Sequence, residues 1–165
     1  MQRSQRALIL DDHVPTLNLL VHQLEEAFPD LVIETRTTPD PRGQFDLFLI
    51  DNNFGGRACA EALVRQIRAV HPTALVVAFS STLNRRVLKA LLNAGCSGVC
   101  DKSAPEDLAS LTRMARVYLE ELRASGRGRG GGVVRAARAI RQLLEAWNRR
   151  FDLEALGHAS AEAVR

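Results

Sequence analysis

The chain has 165 residues, enough for one domain with a short appendage and a proper hydrophobic core. Aromatic residues make up only 5% of it, and Leu, Val and Ala dominate the apolar content, as in parallel sheets covered by helices. The net charge is +3, with the basic excess after residue 125. No apolar run approaches the length of a membrane span and no secretion signal opens the chain, so we expect a cytoplasmic protein.

The three cysteines favour buried thiols in a reducing compartment. Cys59, Cys96 and Cys100 are odd in number and lie among apolar or small residues. Cys96 and Cys100 are four residues apart, but no nearby Cys or His completes a zinc set. We therefore expect no metal site on the cysteines.

Hydrophobic periodicity predicts strands that alternate with helices. The predicted strands are residues 6–11, 31–35, 45–51, 74–79 and 97–100. The predicted helices are residues 15–28, 57–70, 83–94, 105–123 and, after a Gly-rich segment, 133–151. Such alternation implies a parallel sheet of about five strands with helices on both faces.

One connection departs from this alternation. Residues 37–44, TTPDPRGQ, contain two Pro and a Gly and cannot hold a helix of useful length. A parallel crossover usually takes a dozen residues or more, so this one must be nearly extended. One sheet face then lacks part of its cover and needs another lid. We expect the C-terminal helix, from the same chain or a second copy, to provide it.

The segment FDLFLIDNNFGG, residues 45–56, resembles a buried parallel strand that ends at a carboxylate. Four consecutive apolar residues precede Asp51, and two Asn and two Gly follow nearby. Open α/β sheets place their chemistry at the carboxyl ends of strands. The alternative is that Asp51 only caps the following loop or helix.

Polar residues at the ends of other strands favour a chemical role for Asp51. Asp11 and Asp12 follow the first strand, Ser80 the fourth and Lys102 the fifth, and parallel strands bring these ends to one edge. Three carboxylates together would repel one another unless a cation joined them, and an all-oxygen site suits Mg²⁺. A hydroxyl and an ammonium nearby suit the oxygens of an incoming phosphoryl group. The pattern predicts Mg²⁺-dependent phosphorylation of Asp51.

These motifs are similar to those of the receiver domains of bacterial two-component response regulators. The matching segments are LILDDH, LFLIDNN, VVAFSS and GCSGVCDKS, which occur in the right order and spacing over roughly residues 5–123. The resemblance implies a flavodoxin-like, doubly wound sheet of strand order 2-1-3-4-5. We expect the second helix to be missing or very short and a C-terminal helix to be added.

The resemblance also implies roles for individual residues. Asp51 would accept a phosphoryl group from the phosphohistidine of a sensor histidine kinase or phosphotransfer protein and lose it slowly. Ser80 and Lys102 would contact the phosphoryl oxygens.

Mg²⁺ is the implied cofactor. Asp12 would bind it directly, Asp11 largely through water, and Asn53 through its backbone carbonyl, with Asp51 completing the set. The side chain of Asn53 would influence hydrolysis of the acyl phosphate.

Simpler roles remain open for these residues. Asp11 or Asp12 can cap the first helix, Ser80 can be a turn residue, and Lys102 can be a solvated loop charge. His13 follows the acidic pair and is read as an exposed or peripheral residue outside the site.

Two further positions depart from the family pattern. Val99 lies where receivers usually place Tyr or Phe, and Ser103 follows Lys102 where the family normally has Pro. These changes leave a phosphorylation-independent interaction module as an alternative. A phosphatase with an Asp nucleophile is disfavoured, because that class needs a second acid where this chain has Asn53.

The sequence divides into a receiver domain at 1–124, a Gly/Arg linker at 125–132 and a C-terminal helical extension at 133–165. Trp147 lies on the apolar stripe of the last helix, which needs a surface to cover it. We expect a homodimer, through this helix or through the incomplete sheet face. The Arg-rich linker lacks interleaved aromatics, so nucleic acid is not the expected partner, although a regulator that binds DNA through its tail is an alternative.

Overall fold

The computed structural model describes residues 4–125 and 132–149. Its strands are β1 Arg6–Leu10, β2 Val32–Arg36, β3 Leu47–Asp51, β4 Asn53–Phe54, β5 Arg57–Ala58, β6 Leu75–Ser80 and β7 Gly98–Asp101. Its helices are α1 Val14–Ala27, α2 Ala60–Val70, α3 Arg85–Asn93, α4 Pro105–Ser125 and α5 Gly132–Asn148.

Five strands form one parallel sheet in the order β2-β1-β3-β6-β7. This order confirms the predicted 2-1-3-4-5 arrangement, because β6 and β7 are the fourth and fifth strands of that sheet. No helix lies between β2 and β3, as the two Pro of residues 37–44 predicted, and the additional C-terminal helix is present. The strand ends therefore meet at one edge, as the predicted site requires.

The sheet separates two apolar cores. Its central strand β3 is buried over its whole length, which explains its continuous apolar run. On one face, Ile9, Leu49 and Val77 pack with α1 and α4. On the other face, Ile50 and Val76 pack with α2 and α3. Both faces hold the central strands rigidly, so the side chains at their ends have defined positions.

Local sequence signals account for the helix ends. A Pro lies in the first turn of α1, and Pro105 opens α4 ahead of two acidic residues. The side chain of Asn84 caps α3 by accepting a hydrogen bond from the Val87 backbone N–H at 3.0 Å. Gly95 follows α3 with a φ of 104°, a conformation that glycine adopts without strain.

The predicted start of the helix at Arg57 is wrong. The helix begins at Ala60, because β4 and β5 pair as a small antiparallel hairpin across Gly55 and Gly56. Both glycines have positive φ, 55° and 76°, so they form the turn that this hairpin needs. Cys59 is therefore only half-buried, contrary to expectation, whereas Cys96 and Cys100 are buried.

Helix α5 packs on this chain, but not on the face that was predicted. Ile140 and Trp147 are buried in the core formed with α1 and α4, beside β7. The incomplete face belongs to the other core, so the expectation that this helix of the same chain covers it is wrong. The predicted linker lies largely outside the described residues, and so does the extension beyond Arg149.

A charged layer lies where the missing helix left the sheet open. The guanidinium of Arg6 lies 4.7 Å from the centre of the buried Phe45 ring, and that of Arg36 lies 5.8 Å from it. Both guanidinium groups pair with Glu34, and Arg36 also reaches the backbone carbonyl of Asp40 at 2.8 Å. The aliphatic stems and planar heads of arginine can cover apolar surface while they remain hydrated. These side chains provide the local lid.

Within residues 4–125 and 132–149, no helix combines the length and apolarity that crossing a bilayer requires.

Candidate functional site

Three carboxylates meet at the carboxyl end of the sheet. Asp51 ends β3, and Asp11 and Asp12 follow the neighbouring β1. One oxygen from each lies within 4.8 Å of the others. Asp11 and Asp51 are buried, with 1% and 6% of their surface exposed, whereas Asp12 is exposed. The cluster is therefore open to solvent at Asp12.

The ammonium of Lys102 joins two of these carboxylates. Its Nζ lies 2.8 Å from Asp11 Oδ2 and 3.0 Å from Asp51 Oδ1. The Lys102 backbone N–H donates to the Ser80 carbonyl at 3.0 Å, which aligns the residue with the end of β6. Burial alone would lower the pKa of Lys102, but hydrogen bonds to Asp11 and Asp51 outweigh it and raise this pKa. Lys102 is therefore a partly buried, charged partner of the two acids.

The pKa of Asp51 is raised, with burial as the largest cause. The hydrogen bond and charge of Lys102 oppose this effect, the Asp11 charge adds to it, and the Asn53 backbone N–H lowers the pKa slightly. A carboxylate that is poorly solvated but not fully neutralised would gain from another cation.

Asp12 and Asp11 also organise the surrounding backbone. Asp12 Oδ2 accepts the Gly55 N–H at 2.7 Å, which ties the hairpin tip to the site. Asp11 Oδ1 accepts the His13 N–H at 2.8 Å. The His13 ring instead contacts the Thr16 hydroxyl at 2.8 Å.

Ser80 ends β6, the strand that pairs with β3 beside Asp51. Asp51 pairs with Phe79 on β6, so Ser80 is one residue further along. Ser80 is fully buried, and its Oγ accepts the Thr82 N–H at 3.2 Å. Asn53 begins the hairpin two residues after Asp51. Its carbonyl as a metal ligand and the Ser80 hydroxyl as a phosphoryl contact stay predictions.

Sequence reasoning missed how the Lys102 loop is held. None of the peptide bonds in the described ranges is cis, and the residue after Lys102 is Ser103. The Asp101 carboxylate accepts both the Ser103 N–H at 2.8 Å and the Ser103 hydroxyl at 2.6 Å. An Asp followed two residues later by Ser is a turn signal that the sequence did contain. Side-chain hydrogen bonds thus shape this loop.

The donor set fits Mg²⁺. Carboxylate oxygens, a backbone carbonyl and water are the ligands that this hard cation prefers. Asp11, Asp12 and Asp51 bring three such oxygens together beside one open side, where water or a substrate oxygen can complete a shell. A bound dication would also compensate the poor solvation of Asp51.

Comparison with solved structures identifies the architecture. The chain is similar to the signal receiver domain of a DNA-binding response regulator from Colwellia psychrerythraea 34H, with 20% identity and a TM-score of 0.61, over 70% of this chain and 98% of that one. It is also similar to the BeF3-activated receiver domain of DrrB from Thermotoga maritima, with 16% identity and a TM-score of 0.61, over 72% and 99% of the two chains. The chain has the receiver-domain fold.

A third receiver structure is similar over a larger share of this chain. A CheY-like response regulator receiver domain protein from Methanospirillum hungatei JF-1 is 19% identical, with a TM-score of 0.58, over 78% of this chain and 100% of that one. No protein-family model matches the sequence, and no curated protein matches it. At these identities the likeness is one of fold. The receiver fold of this chain includes Val99, which is fully buried in β7.

Proposed function

We propose that this receiver-fold domain accepts a phosphoryl group on Asp51 from the phosphohistidine of a histidine kinase or phosphotransfer protein. It acts with Mg²⁺ in the cytoplasm and signals through protein contacts. One observation carries the proposal: the Lys102 ammonium lies within 3.0 Å of both Asp11 and Asp51, with Asp12 alongside. A salt bridge of purely structural use does not require a third, solvent-open carboxylate.

In the proposed reaction an Asp51 oxygen attacks phosphorus, and the bond from phosphorus to the histidine nitrogen breaks, leaving an acyl phosphate. Lys102 is close enough to balance the negative charge on the phosphoryl oxygens, and the Ser80 hydroxyl would donate to one of them. Asp11, Asp12, Asp51 and the Asn53 carbonyl would hold Mg²⁺. The metal would supply charge neutralisation, and the protein's own task is positioning.

The test is phosphorylation of the full chain by acetyl phosphate with Mg²⁺, followed by intact mass spectrometry. Wild-type protein should gain one phosphoryl group, and chelation of the metal should abolish the gain. Asp51→Asn should gain none, while the exposed Asp30→Asn serves as the matched control and should behave as wild type. Absence of modification across a range of Mg²⁺ concentrations would contradict the proposal.

The second candidate is an interaction module that works without phosphorylation. It is favoured by Val99, because a small buried aliphatic side chain in β7 cannot make the inward swing of an aromatic ring. If this candidate is right, Asp51→Asn retains every partner and the same oligomeric state. Light scattering of wild-type and Asp51→Asn protein, with and without acetyl phosphate, distinguishes the two and tests the predicted homodimer.

A role in DNA binding remains the weaker alternative. It predicts a gel shift with duplex DNA that weakens steeply as salt rises.

A further inference from the structure

Asp107 connects the Lys102 loop to the C-terminal helix. It lies in the first turn of α4 with 3% of its surface exposed. Its Oδ2 accepts the backbone N–H of Asp101 at 2.8 Å, and its Oδ1 accepts the indole N–H of Trp147 at 3.2 Å. A single buried carboxylate is thus shared by the residue before Lys102 and by α5.

The loop that carries Lys102 is short and held by polar contacts at both ends. Asp107 fixes the Asp101 N–H, and the Ser80 carbonyl fixes the Lys102 N–H. The Asp101 side chain closes the turn onto Ser103. Because Asp101 and Lys102 are adjacent, a displacement of the Asp101 amide also displaces the backbone from which the Lys102 ammonium reaches Asp51.

Helix α5 packs on α4 and also contacts the beginning of β7. The Trp147 ring lies against Gly98, so closely that a Cβ at that position would collide with it. Asn148 Nδ2 donates to the Ser97 carbonyl at 3.0 Å, and Ile140 is buried with α1 and α4. Trp147 therefore reaches Asp107 only when α5 lies along β7.

We propose that docking of α5 and phosphorylation of Asp51 are coupled, with Asp107 as the positioning residue that transmits the effect to Lys102. The inference rests on the proposed function. When α5 leaves, Asp107 loses a hydrogen bond from Trp147 and the Asp101 amide is less firmly held. Lys102 then stabilises phosphoryl oxygens less well. Because binding free energies are reciprocal, a phosphorylated Asp51 must favour docked α5 by the same factor.

The first test measures loop order in the full-length, unmodified protein. Trp147→Phe keeps an aromatic ring at Gly98 but lacks the indole N–H, and Asp107→Asn leaves only one acceptor oxygen for two donors. Both variants should speed hydrogen exchange at the Asp101 amide. The matched control is Gln142→Ala, at an exposed position of the same helix, which should exchange as wild type. Unchanged exchange in both test variants would overturn the inference.

The second test measures the effect on the site. Beryllofluoride with Mg²⁺ serves as an equilibrium mimic of the phosphoryl group. Its affinity should fall on the order of tenfold in Trp147→Phe and Asp107→Asn, within the usual range of coupling between sites. It should be unchanged in Gln142→Ala. Faster exchange of the Asp101 amide without any loss of affinity would show that the loop and the site are not linked.

The third test measures the opposite direction of the coupling, the effect of a ligand at Asp51 on the docking of α5. Trp147 is the single tryptophan of the chain, so its fluorescence reports on α5. Adding beryllofluoride and Mg²⁺ to wild-type protein should reduce quenching of Trp147 by acrylamide, and Asp107→Asn should lose this response. If wild-type protein binds beryllofluoride but quenching does not change, the coupling is refuted and the proposed function stands. If wild-type protein neither binds it nor accepts phosphoryl from acetyl phosphate, both ideas fail.

Discussion

The two edges of the sheet are protected in opposite ways. The β2 edge has no crossover helix after it, and Arg6, Arg36 and Glu34 form a half-exposed charged layer over Phe45. The β7 edge is covered by α5, whose Trp147 and Ile140 are buried. One edge depends on surface ion pairs and the other on apolar burial.

This difference predicts which edge of the sheet can transmit a structural displacement to distant residues. Surface ion pairs contribute little and are screened by salt, so they can rearrange without affecting distant residues. Buried contacts are close-packed and transmit displacement. The β7 edge, which also contains the Lys102 loop, is therefore the edge through which the site and the C-terminal helix can influence one another.

The largest expected effect comes from removing the apolar anchor of the β7 edge. Trp147→Ala should lower the free energy of unfolding by about 3–5 kcal/mol, because it removes a large buried side chain and leaves a cavity. Urea unfolding followed by circular dichroism measures it. Leu143→Ala is the control, since Leu143 on the same helix is 36% exposed and should cost far less. Equal losses would mean that α5 is not docked through Trp147.

The second effect is a pH dependence of stability that arises from Cys96, just before β7. Cys96 is buried, and burial raises its thiol pKa from 9.0 to about 11. Between these values the unfolded chain has released this proton while the folded chain keeps it, so the free energy of unfolding falls as pH rises. The fall should be about 2–3 kcal/mol across this window.

Cys96→Ala isolates this contribution from other groups that titrate in the same range. Unfolding by urea at pH values on both sides of the window should show a shallower decline than in wild type. Cys59→Ala is the comparison variant: burial also raises the pKa of the half-buried Cys59 thiol, but its removal should change the decline less than removal of Cys96. A wild-type decline that Cys96→Ala leaves unaltered would contradict the assignment.

A smaller effect is expected at the apolar centre of the β2 edge. The Phe45 ring meets Phe48 edge-on at 5.6 Å and lies under the guanidinium of Arg6. Phe45→Leu keeps most of the apolar volume but loses both ring interactions, so stability should fall by about 1 kcal/mol. Phe54→Leu, in the hairpin, is the comparison variant. No difference in thermal or urea unfolding would mean that the charged layer does not depend on the ring.

The smallest effect is expected for the charges of that layer. Glu34→Ala removes the shared partner of Arg6 and Arg36, whose side chains are partly exposed. It should cost no more than about 1 kcal/mol in dilute buffer and almost nothing near 1 M salt. The exposed Glu25→Ala is the control. A loss that persists at high salt would show that the layer contributes by packing.

Most of the fold could be predicted from the sequence because its buried strands are short apolar runs that alternate with amphipathic helices. The alternation of apolar strands with helices predicted the parallel sheet, the resemblance to receiver domains implied the observed strand order, and the Pro-rich segment 37–44 predicted the missing helix. The hairpin after Asp51 was missed, since two-residue strands carry no periodic signal and Gly55 with Gly56 resembled an ordinary loop. The face covered by α5 was also missed, because an amphipathic stripe does not specify its partner.

The structure brings together four of the residues that were predicted to form the site. Parallel topology brings Asp11, Asp12 and Asp51 together with Lys102, and each of these could be placed from its strand end. Asp107 could not, because an acidic residue in the first turn of a helix is usually a dipole partner at the surface. Its hydrogen-bond partner Trp147 lies 40 residues away in sequence.

The sequence by itself determined which chemical groups stand at the strand ends, because apolar runs specify buried strands and parallel strands share one edge. Only the tertiary structure decided how those groups are supported. It placed Lys102 between two buried acids, Arg6 and Arg36 over Phe45, and Trp147 against Gly98 and Asp107. These contacts join residues that are far apart in the chain, and their partners are chosen by packing and burial, which local sequence patterns do not encode.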